Sequence, residues 1–266
     1  MTKRQAQELF GNIGEYNSDP RKVLLRKKKK LRLKKKAKIF LFLLVLSLIV
    51  LYFISDLSRI RTISVEGNQT ISTKYIQKVL SQYKKDTIFL LNTNKVEKKV
   101  LDMPLIKKAD VSKNLLGHLS VRVSEGDILA YATIKNKTYI IDSMGHVFEN
   151  SPEMGLGDVK KYVKVSHFNS YGQLKKFAKE YVKIPENVHS SVSDIILSNS
   201  KTEPFRVRMI MDNGKVLVVR VNEMVDVFER FDYQANNVVQ KDVQTYVFMN
   251  GKLYMYSSDD KFDYKK

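Results

Sequence analysis

"IRTISVEGNQTISTKYIQKVLSQY", residues 60–83, changes period halfway through. Ile63 and Val65 alternate with Thr62, Ser64 and Glu66, the two-residue period of a strand, and Gly67-Asn68 closes it. Ser72 then stands where a helix N-cap belongs, and Ile76, Val79, Leu80 and Tyr83 recur at the i, i+3, i+4, i+7 spacing of a helix face. The stretch reads as strand, turn, helix.

The next residues complete a unit. In "IFLLNTNKVEKKVLDMPLI" (88–106) a short apolar run precedes Asn94, with Glu97 three residues on as in a capping box; Val96, Val100 and Leu101 supply the inner face, and Pro104 ends the helix. "KKADVSKNLLGHLSVRVSEG" (107–126) is two strands, the second alternating Leu119, Val121 and Val123 with Ser120, Arg122 and Ser124. The order β-α-α-β-β predicts one small sheet with two helices on one face.

Upstream, "RKKKKLRLKKKAK" (26–38) is followed by "IFLFLLVLSLIVLYFIS" (39–55), which carries no charge. At 1.5 Å per residue a helix of this length spans roughly 25 Å, the short end for a bilayer core, and flanking lysines can snorkel to cover the shortfall. A cleaved signal peptide needs a short basic start and a small-x-small site; here 38 residues precede the apolar run and "YFISDLSRIR" offers no such site, so 39–55 reads as an uncleaved transmembrane helix. Residues 1–38 hold 14 basic against three acidic groups, +11 of the chain's +19, leaving 33 basic and 25 acidic groups to the rest. That concentration before the span puts residues 1–38 in the cytoplasm and the residues after the span outside, and it explains the basic pI without nucleic acid. Residues 1–25 show no periodicity and predict a flexible tail.

Downstream, "TYIIDSMGHVFE" (138–149) is a strand, a turn at Ser143-Met144-Gly145 and a returning strand. "SYGQLKKFAKEYVKI" (170–184) has Ser170 and Gln173 in capping-box register and Leu174, Phe177, Ala178 and Tyr181 on one face. "VSDIILS" (192–198) is a strand, and "FRVRMIMDNGKVLVVRV" (205–221) a hairpin across Asn213-Gly214. A helix over Val225 to about Asn236 turns Met224, Val227, Phe228 and Phe231 inward. In "TYVFMNGKLYMY" (245–256) a two-residue Asn250-Gly251 loop sets Met249 opposite Lys252, Phe248 opposite Leu253, Val247 opposite Tyr254 and Tyr246 opposite Met255. One face of that ribbon then carries Tyr246, Phe248, Leu253 and Met255, the other Val247, Met249, Tyr254 and Tyr256. Both faces are apolar, so something must cover the second face or pair with the outer edge.

The expected organisation is α+β: tail 1–38, transmembrane helix 39–55, a β-α-α-β-β domain 58–128, a mixed α/β domain with a mainly antiparallel sheet 129–257, and a disordered tail 258–266. Chemistry finds little purchase. The chain has no cysteine, and His118, His146, His167 and His189 stand far apart with no partner at a metal-ligand spacing, each reading as a surface or strand-end residue. Ser-x-x-Lys occurs at Ser81/Lys84, Ser198/Lys201 and Ser258/Lys261, without the Ser-Asp-Asn or Lys-Thr-Gly that accompany it in wall transpeptidases. "GLGDVKK" lacks the third glycine of a phosphate loop. No enzyme, cofactor, metal, small-molecule substrate or nucleic acid is expected.

"ISVEGNQTISTKYIQKVL" (63–80), "MPLIKKADVSKNLLGHLSVRVSEGDILAYA" (103–132) and their place directly after a single anchor resemble the POTRA domain of the DivIB/FtsQ family of bacterial cell division proteins. "TYIIDSMGHVFE" is similar to that family's D-x-x-G-x-V/x-F hairpin, while "NLLGHL" departs from a linker that often contains proline. The resemblance implies a non-enzymatic scaffold, anchored in the cell membrane at the division septum, that joins small coiled-coil membrane proteins of the FtsL and DivIC/FtsB types. In the family the last strand of the β domain and its nearby helix receive the DivIC/FtsB-type partner. Carried onto this chain, those positions are Tyr246, Phe248, Tyr254, Met255 and Tyr256, with Phe228 and Phe231. Core packing is the competing role for each aromatic: it outweighs binding for Phe228 and Phe231 and stands level with it for Tyr254 and Tyr256. A POTRA-bearing translocation or assembly factor is the rival from another class and would take extended clients at Leu119–Val123; a cell-wall enzyme is a second.

Overall fold

The computed structural model describes residues 20–199, 204–233, 236, 241–257 and 260, in two compact units, Met1–Arg59 and Ile60–Lys266. The first unit is dominated by helix α1 (Pro20–Ile54), of which Lys34–Ile54 is long and apolar enough to cross a membrane and is nowhere buried by protein. The helix starts earlier than expected, taking in residues 20–25, for which the sequence predicts a flexible tail. Proline is suited to a first helical position, and the Leu, Lys and Arg after it are strong helix formers. Residues 1–19 lie outside the described residues.

In the second unit β1 (Thr62–Glu66), α2 (Thr73–Leu80), α3 (Thr93–Leu101), β2 (Ile106–Lys113) and β3 (His118–Glu125) follow the expected β-α-α-β-β order. The sheet order is β1-β3-β2, with β1 parallel and β2 antiparallel to the central β3. A parallel β1/β3 pair needs a long crossover, which the two helices supply. Ile76, Leu80, Val96 and Val100 pack on Ile63, Leu119, Val121 and Val123 in one core. Ser72 caps α2 as its sequence position suggests, Oγ accepting from the Tyr75 amide at 3.2 Å. The cap of α3 is Asn92 rather than Asn94, its Oδ1 accepting from the amides of Asn94 and Lys95. Leu101, expected inward, is 38% exposed, because it stands about 100° round the helix from buried Val100. Gly67 (φ +86°) turns the chain out of β1 so close to β3 that a Cβ there would lie 2.1 Å from the Val123 carbonyl oxygen.

The remaining strands are β4 (Ile128–Ile134), β5 (Lys137–Asp142), β6 (Val147–Glu149), β7 (Val163–Ser166), β8 (Val192–Leu197), β9 (Arg206–Met211), β10 (Val216–Arg220), β11 (Val243–Met249) and β12 (Lys252–Ser257). They form one sheet in the order β12-β11-β10-β9-β8-β7-β4-β5-β6. Five of its eight pairings are antiparallel; β10/β11, β7/β8 and β4/β7 are parallel. Helix α4 (Tyr171–Tyr181) and the short α5 (Glu186–His189) link β7 to β8, and α6 (Met224–Arg230) lies between β10 and β11. One core gathers Leu174, Phe177, Tyr181, Met224 and Phe228 from the helices with Ile195, Met209, Leu217 and Tyr246 from the strands.

The two layers share a boundary. Ile128 and Ile140 of the large sheet, with Met154, Leu156 and Val159 from the turns after β6, join the core of the small sheet. Ser72 ties the seam: its amide donates to Met154 O at 2.7 Å and its hydroxyl to Glu153 O at 3.1 Å, while Lys78 pairs with the Glu153 carboxylate at 2.8 Å.

Two Asn-Gly pairs make different turns. Asn250 and Gly251 both take positive φ (53° and 72°), the two-residue loop their sequence predicts. At Asn213-Gly214 only the glycine does (φ 83°), and Met211 N donates to Lys215 O, so the loop has three residues, 212–214. Asp142 is fully buried and its carboxylate accepts from the amides of Met144 and His146, which shapes the β5–β6 turn.

Candidate partner-binding edge

Among the described residues four strands lie at sheet edges, and three are blunted. On β1 the Ile63 carbonyl accepts from Gln77 Nε2 at 2.8 Å. On β2 Lys107, Lys108, Asp110 and Lys113 are exposed, a charged edge that discourages pairing. Strand β6 has three residues, and its Val147 carbonyl accepts from Tyr171 Oη at 2.9 Å. Strand β12 runs six residues and exposes Leu253 (37%), Tyr254 (39%) and Met255 (48%).

The register of β12 on β11 is the one the turn dictates: Met249 with Lys252, Phe248 with Leu253, Val247 with Tyr254, Tyr246 with Met255. The pair closing a two-residue hairpin exchanges both its hydrogen bonds, and such pairs alternate along the ladder. Lys252, Tyr254 and Tyr256 therefore turn their backbone toward β11, and Leu253 and Met255 turn theirs outward. Beyond them Ser257 donates its amide to Asp260 Oδ2 at 2.8 Å, which closes that end. Among the described residues no strand pairs with the outer side of β12.

Beside the edge, a groove of about 430 Å³ runs between α6 and the hairpin. Phe231 and Phe248 line it with Val227 and Leu253, and Asp226 and Lys252 bring both signs of charge. The Arg220 guanidinium reaches Glu223 Oε1 at 2.7 Å and Asn250 Oδ1 at 3.2 Å, fixing the hairpin turn to the approach of α6.

The seven residues carried over from the family divide by burial. Tyr246 (0%), Phe228 (3%), Phe231 (8%) and Phe248 (8%) are interior. Their rings form one cluster, Phe231 lying 5.0 Å from Phe248 and 5.4 Å from Tyr246, and Phe228 6.0 Å from Phe248. Burial raises the pKa of the Tyr246 phenol. Tyr254 and Met255 are exposed, Tyr256 half-buried. Tyr254 and Tyr256 share the face of Val247 and Thr245, away from α6, while Met255 and Leu253 share the α6 face. Lys252, Leu253, Asp226 and Val227 join the site without having been among the residues expected there. Their signal in the sequence is the polar stripe of "NEMVDVFER" (222–230) and the hairpin register itself. The helix expected as far as Asn236 ends at Arg230; residues 234, 235 and 237–240, and most of the tail from 258, lie outside the described residues.

The strand segment Leu119–Val123, where a translocation factor would take its clients, is the middle of the small sheet, flanked on both sides and buried at Leu119, Val121 and Val123. It has no edge to offer. Among the described residues no three His, Asp or Glu side chains gather as metal ligands. His189 is less exposed than its sequence position suggests: its ring packs edge-on to Tyr181 at 4.4 Å, and burial lowers its pKa against the opposing pull of Glu186.

An apolar helix, then a β-α-α-β-β domain sharing its core with a mixed sheet, defines a class: proteins built on a POTRA-type domain followed by a larger β domain. Residues 58–125 match the family described as POTRA domain, FtsQ-type, and residues 130–247 match Cell division protein FtsQ/DivIB, C-terminal. The chain belongs to the DivIB/FtsQ family of cell division proteins, which are non-enzymatic. It is 32% identical to the cell division protein DivIB of Pediococcus pentosaceus over 173 residues, 64% of this chain and 46% of that one. It is 25% identical to DivIB of Bacillus subtilis over 213 residues, 77% of this chain and 80% of that one. The chain thus spans under half the length of the first relative and four-fifths of the second. A solved structure of the major extracytoplasmic domain of DivIB from Geobacillus stearothermophilus overlays 45% of this chain and 98% of its own, with 13% identity and a TM-score of 0.35. The C-terminal family match ends at Val247, before β12.

Proposed function

We propose that this chain is a membrane-anchored scaffold of the division septum that binds small coiled-coil membrane proteins of the FtsL and DivIC/FtsB types, with β12 as the docking edge for the latter. The lysine-rich segment before the apolar helix supports a cytoplasmic N-terminus and extracytoplasmic domains. The observation that carries the binding reading is the contrast among the four outer strands: β12 presents outward backbone at Leu253 and Met255 together with exposed apolar side chains. An extended segment of the partner adds there as a further strand, its main chain supplying hydrogen bonds and its side chains reaching the α6 groove on one face and Tyr254 and Tyr256 on the other. Phe228, Phe231, Tyr246 and Phe248 act from below, as the packed base that holds β12 and α6 in place.

Met255→Pro tests this directly. The Met255 amide points away from β11, so proline there removes an outward donor and adds bulk at the edge while leaving the β11 ladder its bonds. Titrated against a soluble DivIC/FtsB-type ectodomain, the variant of residues 57–266 is expected to bind about 10- to 100-fold more weakly, the equivalent of about 1.4–2.7 kcal/mol. Its urea midpoint should stay near the parent's. Unchanged affinity would place the partner elsewhere.

A further inference from the structure

The first domain carries a second apolar surface, at the end where the chain enters it. Phe89 (54% exposed), Leu90 (76%), Leu115 (64%) and Leu116 (81%) stand outward on two loops, while their neighbours Ile88 and Leu91 turn into the core. The loops are held in shape. Lys113 Nζ donates to the carbonyls of Phe89 (2.8 Å) and Leu91 (2.7 Å), binding one loop to the other, and Asn114 Oδ1 accepts from the amides of Leu116 (3.0 Å) and His118 (3.1 Å). Four large apolar side chains fixed at a domain tip are more than scattered surface residues.

Their position in the chain says what they face. The amide of Ile60 donates to Asp86 O (3.4 Å) and that of Arg61 to Gly117 O (2.8 Å), so the first residues of this unit are stitched to these two loops. Ile60 stands only six residues after Ile54, the last residue of α1, and six residues reach at most about 20 Å. If α1 spans the bilayer, as the proposed function requires, the covalent chain keeps the loops close to the surface from which it emerges. The tip also carries exposed Arg61, Lys84, Lys85 and Lys95, with the acid Asp86 among them. A depression of about 490 Å³ beside Leu90 is lined by Tyr83, Lys85, Asn92 and Lys95, donors suited to a lipid phosphate, with the Asp86 carboxylate also on its wall.

We infer that the 86–91 and 114–117 loops form a lipid-docking surface: Phe89, Leu90, Leu115 and Leu116 enter the headgroup boundary of the membrane that α1 crosses, and the surrounding basic residues hold anionic headgroups. Apolar insertion and electrostatic attraction together make a peripheral contact firm where either is weak alone. The contact gives the domain a second hold on the membrane besides its covalent tether.

The chain contains no tryptophan, so single Trp variants report without interference. The full-length protein carrying Leu90→Trp, Leu116→Trp or, as a control on the exposed side of α4, Lys175→Trp is reconstituted into vesicles of phosphatidylcholine with a minority of phosphatidylglycerol and no other protein. With lipid brominated near the ester end of its acyl chains, Leu90→Trp and Leu116→Trp are expected to lose most of their emission and Lys175→Trp none. Adding Lys85→Glu and Lys95→Glu should restore part of the lost signal. Emission that persists at both loop positions, in protein that floats with the vesicles, overturns the inference, as does equal quenching at all three positions. Protein that fails to float refutes the spanning role of α1, and the inference falls with it.

Discussion

The two ends of the nine-stranded sheet contain the same sequence signature with opposite outcomes. On β5, adjacent Ile140 and Ile141 are both fully buried and serve separate cores, Ile141 under the helices and Ile140 in the small domain. On the β11–β12 hairpin, Tyr246 and Phe248 lie under α6; on the alternate face Val247 of β11 is buried (1% exposed), while Tyr254 of β12 is exposed, Tyr256 half-buried, and neither belongs to a core. A strand apolar on both faces announces a second cover. At β5 this chain supplies it; at β12 the cover is what the proposed partner brings.

The sharpest way to break the comparison is at the covered end. Ile140→Ala should cost about 2–5 kcal/mol in urea unfolding of residues 57–266, since it leaves a cavity where two domains meet. A loss as small as that of a surface change would mean the domains are not energetically joined. Next comes the turn that sets up β12. Gly251→Ala meets nothing within 4 Å but must keep φ +72°, so about 1–2 kcal/mol of backbone strain is expected, with partner binding weakened in step. The double change Tyr254→Ser and Tyr256→Ser should lower stability by under about 1 kcal/mol yet weaken partner binding clearly in a direct titration. A large shift in the unfolding midpoint would instead make both tyrosines structural.

The smallest effect concerns the helix layer common to both ends. Burial lowers the His189 pKa below its ordinary 6.5, so the folded state binds its proton less readily than the unfolded chain. His189 is thus neutral in both states above about pH 6.5, and stability falls as pH drops below that value toward the lowered folded-state pKa. His189→Gln should flatten this part of the stability profile, seen as a smaller drop in melting temperature between pH 7 and pH 5, while removing the ring contact with Tyr181 at all pH values.

The features legible in the sequence are local. The β11–β12 register follows residue by residue from Asn250-Gly251, because a two-residue loop leaves no freedom in pairing, and the caps at Ser72 and Ser170 follow from one side-chain oxygen at the start of a periodic run. Strand β7 escapes such a reading because four residues carry too little alternation, and β4 because its sequence continues that of the small domain without a break. At the candidate site Tyr246 and Tyr254 look alike in sequence, two aromatics on a ribbon apolar on both sides. Their burial differs, 0% and 39% exposed, and depends on which face α6 covers and how far it reaches.

By itself, then, the sequence determined the apolar helix, the β-α-α-β-β order and the hairpins, since hydrophobic period, capping and turn chemistry act over a few residues. Only the tertiary structure decided that β3 is central and β12 an edge, that Ile140 is shared between domains, and that four of the seven proposed binding residues are core. Those outcomes depend on contacts between segments far apart in the chain, which no local pattern records.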